Sequence, residues 1–136
     1  MRKKFCLVDD NPGEVKLVEL AFKELNATAE LIHYSNSSHL IEFLSSNTDG
    51  GVAAIILDMH LADEHGLDIL PMIERALDSK RVPIIVFSTA YEKELVHRAY
   101  VLGANAYVRK PQSMEEYQAT IAAIVEFWAH VNITPY

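Results

Sequence analysis

Five side chains able to do ionic or hydroxyl chemistry stand at the ends of short apolar runs. Phe5-Cys6-Leu7-Val8 leads into Asp9-Asp10, and Val52-Ala53-Ala54-Ile55-Ile56-Leu57 leads into Asp58. Pro83-Ile84-Ile85-Val86-Phe87 leads into Ser88-Thr89, and Ala106-Tyr107-Val108 leads into Arg109-Lys110-Pro111. If these runs are strands of one parallel sheet, their ends share a rim, which is where such sheets carry their sites. Three carboxylates, a hydroxyl and an ammonium then converge. Carboxylates brought to ~4 Å repel by roughly 4 kcal/mol per pair at an effective dielectric of ~20. A hard divalent cation offsets that at neutral pH, and magnesium suits it, taking oxygen ligands while using few protein carboxylates. Lys110 adds a mobile positive charge. Carboxylate, cation, ammonium and hydroxyl are together what phosphoryl transfer onto a carboxylate requires: the cations neutralise the equatorial oxygens and the carboxylate attacks in line.

The intervening segments decide whether the ends can meet. After Asp9-Asp10, Asn11 can cap a helix, Pro12 suits its first turn and Glu14 completes a capping-box pattern, with Val15, Val18, Phe22 and Leu25 on one face. Ala29 to Tyr34 reads as a weaker strand and Ser37 to Leu44 as a helix, followed by a turn at Asn47-Thr48-Asp49-Gly50-Gly51. The unbroken Val52–Leu57 run marks a strand covered on both faces. Helical spacing returns after Gly66 (Leu67, Leu70, Ile73, Leu77), from about Glu92 to a stop at Gly103, and from Ser113, whose stripe runs Met114, Tyr117, Ile121, Ile124, Val125 and Trp128. Five strands alternating with five helices imply an α/β fold with a parallel sheet between helical layers.

The chain has 136 residues, 50% hydrophobic and 23% charged. It is expected to form one globular domain over 1–136, with an extended apolar helix and tail over 113–136 and no room for an output module. Twelve Lys+Arg against nineteen Asp+Glu give a net charge of −7, which disfavours nucleic acid and anionic membranes as partners. A single cysteine, Cys6, excludes a disulfide framework and reads as a small core residue. No signal-peptide core or membrane-length apolar run is present, so a cytoplasmic location is expected.

The ordered set Leu7-Val8-Asp9-Asp10-Asn11, Ile55-Ile56-Leu57-Asp58-Met59, Gly66, Ile84-Ile85-Val86-Phe87-Ser88, Gly103-Ala104 and Tyr107-Val108-Arg109-Lys110-Pro111 resembles the receiver domain of two-component response regulators, over nearly the whole chain. The resemblance implies a flavodoxin-like sheet of order 2-1-3-4-5. It implies that Asp58 is the phosphoacceptor, supplied by a sensor histidine kinase or phosphotransfer protein. Asp9, Asp10 and Asp58 with the Met59 carbonyl would hold Mg2+. Ser88 and Lys110 would bind phosphoryl oxygens, and Tyr107 would be the aromatic switch. The Lys110–Pro111 bond would be cis. The apolar ending resembles small stand-alone receivers associated with phytochrome-type kinases. Such a protein is no enzyme beyond its own phosphorylation and dephosphorylation. Its output is contact with a downstream protein, and the apolar tail suggests a homodimer.

Each residue also has an ordinary reading. Asp9-Asp10 could form a turn and cap, Ser88 a cap with Thr89 as the alternative switch, Lys110 a solvated charge and Tyr107 a core aromatic. Of the histidines, His33, His39, His97 and His130 read as surface residues. The loop after Asp58 departs from the family: Ala62 replaces a common proline. In the family the positions two after the acceptor and two after the switch hydroxyl, here His60 and Ala90, border the path of attacking water, so the resemblance makes His60 a candidate tuner of phosphoryl lifetime. Two rival functions remain. A haloacid-dehalogenase-like phosphatase would need a second acid at the position of His60. A receiver-like interaction module would need no phosphoryl chemistry at all. A flavin or nucleotide binder is disfavoured by the acidic first loop.

Overall fold

The computed structural model describes residues 2–25, 28–46, 51–78 and 80–134. Strands and helices alternate: β1 (Lys3–Val8), α1 (Pro12–Lys23), β2 (Ala29–Tyr34), α2 (Ser37–Ser46), β3 (Val52–Asp58), α3 (Gly66–Leu77), β4 (Ile84–Ser88), α4 (Lys93–Val101), β5 (Ala106–Arg109) and α5 (Met114–Val125), continued by a π-helical turn (Glu126–Val131). The strands form one parallel sheet in the order β2-β1-β3-β4-β5, the flavodoxin-like order the resemblance implies. Of the expected turn at 47–51, residues 47–50 lie outside the described residues.

Both faces of the central strands are buried, and the period of two divides each strand between two cores. Phe5 and Leu7 of β1, Ala54 and Ile56 of β3, and Ile85 and Phe87 of β4 pack with Val15, Val18, Phe22, Ile121 and Val125 of α1 and α5. The alternate residues Cys6, Val8, Ile55, Leu57, Ile84 and Val86 pack with Leu40 and Leu44 of α2, Leu70 and Ile73 of α3, and Ala99 of α4. This is why the runs show no polar alternation. No helix among the described residues is long and apolar enough to cross a membrane.

Local chemistry sets the helix starts. Asn11 caps α1, its side chain accepting from the Gly13 and Glu14 amides at 2.9 and 3.2 Å. The reciprocal half of the expected capping box is replaced: the Asn11 amide donates to Asp9 Oδ1 at 2.9 Å, which releases the Glu14 carboxylate for other use. His65 caps α3 through Nδ1, accepting from Leu67 N at 3.1 Å. Gly66 is required by close approach, since a Cβ there would lie 2.5 Å from Met59 Sδ and 2.9 Å from Met59 Cα. The loop after Asp58 therefore folds back on Met59, and Gly66 N donates to Met59 O at 2.7 Å.

The last helix departs from the expected single stripe. Regular α-helix stops at Val125 and the winding widens over Glu126–Val131, with Asn132 N bonded to Phe127 O across five residues. Ala129 continues the buried stripe, while Trp128 is half-buried beside it and meets Phe127 edge-on at 4.8 Å.

Cys6 is fully buried in β1, and burial, only partly countered by Lys4, pushes its thiol up to about 12. Thiolate is the reactive form. The native protein should therefore fail to react with Ellman's reagent at pH 8, and one thiol should titrate after denaturation in guanidinium.

Candidate functional site

The ends of β1, β3, β4 and β5 meet at one edge of the sheet because the strands are parallel neighbours in register, with Leu57 opposite Val8 and Val86, and Phe87 opposite Val108. Asp9 and Asp10 follow β1, and Asp58 closes β3. Carboxylate oxygens of these three residues lie within 4.8 Å of one another. Asp9, Asp58, Ser88 and Lys110 are the buried polar residues here, and Asp10 is half-exposed. The Lys110 amide donates to Ser88 O at 2.8 Å, which fixes β5 against β4 at the point where its side chain turns inward.

Lys110 Nζ reaches Asp58 Oδ1 at 3.2 Å and Asp9 Oδ2 at 3.5 Å. It also reaches Glu14 Oε2 on α1 at 3.7 Å and lies over the Phe87 ring, 5.7 Å from its centroid. Burial alone would lower the ammonium, but Asp58, Asp9 and Glu14 outweigh it and hold Lys110 above the ordinary lysine value. Burial raises the Asp9 carboxyl, against the opposing effects of the Asn11 amide and Lys110. Asp10 has no place around Lys110. Its Oδ2 instead accepts from Ala62 N at 2.6 Å, tying the loop after Asp58 to the acidic cluster.

The donor set fits a hard divalent cation. It consists of oxygen atoms only, carries more negative charge than Lys110 neutralises, and sits at the rim where Asp10 keeps access to solvent. The Met59 carbonyl accepts from Gly66 N and retains a second lone pair.

The remaining positions divide. Ser88 is buried at the end of β4 and its Oγ accepts from Ala90 N at 3.1 Å, whereas Thr89 is exposed. Tyr107 is half-buried and its hydroxyl donates to the Ala90 carbonyl, bridging β5 to the β4–α4 loop. His60 is exposed, with its ring edge-on to His65 at 5.1 Å. The Lys110–Pro111 bond is trans, correcting the expected cis bond. Trans is favoured by roughly 0.5–1 kcal/mol even before proline. Across the trans link the Lys110 amide meets Ser88 O and its Nζ reaches Asp58.

Three participants were not legible from the strand ends. Glu14 and Tyr117 form a hydrogen bond at 2.5 Å beside Lys110. Glu14 had an ordinary reading as a cap residue, and Tyr117 lay on a buried stripe; its hydroxyl, which needs a partner when buried, was the available signal. His33, though exposed, donates from Nε2 to the Asp9 carbonyl at 2.6 Å.

A parallel five-stranded sheet with an acidic cluster and a buried lysine at its carboxyl edge defines a receiver-type signalling module. The chain belongs to the response regulator receiver domain family, whose model matches residues 5–122. It is 28% identical over 132 residues to the probable methanogenesis regulatory protein FilR2 of Methanothrix harundinacea, covering 95% of this chain and 85% of that one. It is 26% identical to the response regulator Rcp1 of Synechocystis, covering 98% and 93%. The Mn2+-bound structure of Rcp1 superposes with a TM-score of 0.83 at 25% identity, over 98% of this chain and 99% of that one. The phosphorylated cyanobacterial phytochrome response regulator RcpA superposes with a TM-score of 0.87 at 24% identity, over the full length of both.

Asp10 is the carboxylate of the cluster that Lys110 does not neutralise. Asp10→Asn should raise Tm in EDTA by about 3–5 °C, corresponding to roughly 1 kcal/mol of relieved repulsion. By differential scanning calorimetry, 10 mM Mg2+ should raise the Tm of the wild type, and the same variant should lose most of that increase.

Proposed function

We propose that this receiver accepts a phosphoryl group on Asp58 from the phosphohistidine of a sensor histidine kinase or phosphotransfer protein. The observation that carries the reading is the Lys110 ammonium 3.2 Å from Asp58 Oδ1 beside the Asp9–Asp10 carboxylates. The Asp58 oxygen attacks phosphorus in line. The phosphorus–nitrogen bond breaks, and its electron pair stays on the donor imidazole, which takes up a proton. Lys110 follows the new phosphoryl oxygens, for which its present carboxylate partners are stand-ins. Ser88 Oγ, now held by Ala90 N, is the hydroxyl that turns to a further oxygen. Asp9, Asp10, Asp58 and the Met59 carbonyl would hold Mg2+, which supplies charge neutralisation for the transferring group. Hydrolysis later returns the carboxylate and releases phosphate, and His60 and Ala90 flank that route.

Output in this reading is a population shift. Movement of Ser88 toward phosphate disturbs the Ala90 segment, to which the Tyr107 hydroxyl is bonded, and so reshapes the surface of α4, β5 and α5. Tyr91, Tyr100 and Val101 are exposed there and fit a downstream protein target. Phe127, Val131 and Ile133 are exposed on the C-terminal turn and tail, which supports a homodimer through that segment. The protein acts as one receiver domain in the cytoplasm.

Incubation with acetyl phosphate and Mg2+ should add one phosphoryl mass to the wild type by intact mass spectrometry. Asp58→Asn should gain none, and Lys110→Ala should be slowed by about 10²-fold, the usual scale for losing one transition-state cation. Equal labelling of wild type and Asp58→Asn would refute the acceptor assignment. A wild type that binds partners identically with and without phosphodonor would instead favour the interaction-module reading.

A further inference from the structure

One ammonium serves three carboxylates, and Glu14 is the one that stands outside the group able to hold a metal. The Glu14 oxygen that faces Lys110 also accepts the hydroxyl of Tyr117 at 2.5 Å. Tyr117 is 3% exposed on α5, and its ring meets Phe87 edge-on at 5.4 Å, the same ring that lies under Lys110. Burial, then the Glu14 carboxylate, then Asp9 and Asp58 all raise the Tyr117 hydroxyl, so it keeps its proton and donates. The chain of contacts Asp58–Lys110–Glu14–Tyr117 thus runs from β3 across the site to α5 without passing through Ser88 or Tyr107.

The division of Lys110 between Glu14 and the Asp9–Asp58 pair depends on how much charge Glu14 keeps. A hydroxyl donated to a carboxylate is a strong, charge-assisted bond that occupies one of its oxygens. We propose that Glu14, held by Tyr117, is the positioning residue for Lys110: the hydroxyl weakens Glu14 as a counter-ion just enough to leave the ammonium against Asp58, where the phosphoryl group arrives. This rests on the reading of Asp58 as phosphoacceptor. Without the Tyr117 hydroxyl, Glu14 draws Lys110 away, which frees Asp9 and Asp58 for Mg2+ but removes the ammonium from the phosphoryl group. Without the Glu14 charge, Lys110 settles on Asp9 and Asp58, competing with Mg2+ while standing where it meets phosphate.

Tyr117→Phe and Glu14→Gln both conserve volume, and they should move two measurements in opposite directions. Titration calorimetry with Mg2+ alone should show tighter binding in Tyr117→Phe and weaker binding in Glu14→Gln. The initial phosphorylation rate with acetyl phosphate at saturating Mg2+ should fall in the first and rise in the second. Each change should be about threefold to tenfold, the usual range for coupled neighbours. The double variant should match Glu14→Gln, because Tyr117 acts through Glu14. Shifts of the same sign in both variants, or a Tyr117→Phe effect that persists without the Glu14 charge, would overturn the proposal and leave Tyr117 a packing residue. A wild type that takes no phosphoryl group would overturn the acceptor reading; the Mg2+ titrations would still decide this one by the sign of their shifts.

Discussion

The buried ammonium of Lys110 is the interaction on which the rest of this site depends. Asp9 and Asp58 are almost fully removed from solvent at the end of a sheet whose strands are apolar on both faces. Burying one such charge unpaired is costly, and burying several of the same sign is more so. Lys110 supplies the only opposite charge paired with these carboxylates among the described residues. It neutralises one unit where the surrounding acids carry several. The imbalance leaves the site able to take up a further cation, and the shared ammonium leaves it responsive to any new anion.

The fold makes that economy possible. A parallel sheet with both faces covered brings the carboxyl ends of its strands to the solvent boundary. β1 and β3 are adjacent and deliver their acids side by side, while β4 and β5 deliver the hydroxyl and the lysine next to them. The Lys110 amide bonded to the Ser88 carbonyl ties the last residue of β4 to the lysine that reaches Asp58. The loop after Asp58 is pinned twice, by Gly66 against Met59 and by Ala62 against Asp10. The strands therefore hold the charges, and the loops that follow them are hydrogen-bonded to the same side chains.

What could be read from the sequence follows the same division. Continuous apolar runs ending in Asp, Asp, Ser and Lys announce buried parallel strands and a functional rim, since few other arrangements explain polar residues placed at every such end. Glu14 and Tyr117 escaped because their meeting is set by the packing of α1 against α5, more than a hundred residues apart in the chain and invisible to local periodicity. The capping position of Glu14 even pointed elsewhere: its backbone role at α1 was right, but Asp9 took over the Asn11 amide and so freed the carboxylate. The family pattern implies a cis peptide before Pro111, whereas the bond is trans and Lys110 reaches Asp58 from it. The widened turn after Val125 carries no glycine or proline to announce it.

Three of the polar links that leave the site run toward different parts of the molecule. Ser88 bonds the Ala90 amide and Tyr107 bonds the Ala90 carbonyl, so that pair addresses the β4–α4 loop. Asp10 bonds Ala62, and two residues on Glu64 bonds both the amide and the hydroxyl of Ser37 at the start of α2. Glu14 bonds Tyr117 and so addresses α5, whose far end turns into the exposed Phe127 and Val131. Ser88 joins Lys110 through a backbone bond, Glu14 shares its ammonium and Asp10 lies in the same acidic cluster as Asp58, so all three links begin at the one site. Close-packed protein interiors do not deform gradually. Discrete rearrangement of a few hydrogen bonds is the response such packing leaves available to a change of charge at the site.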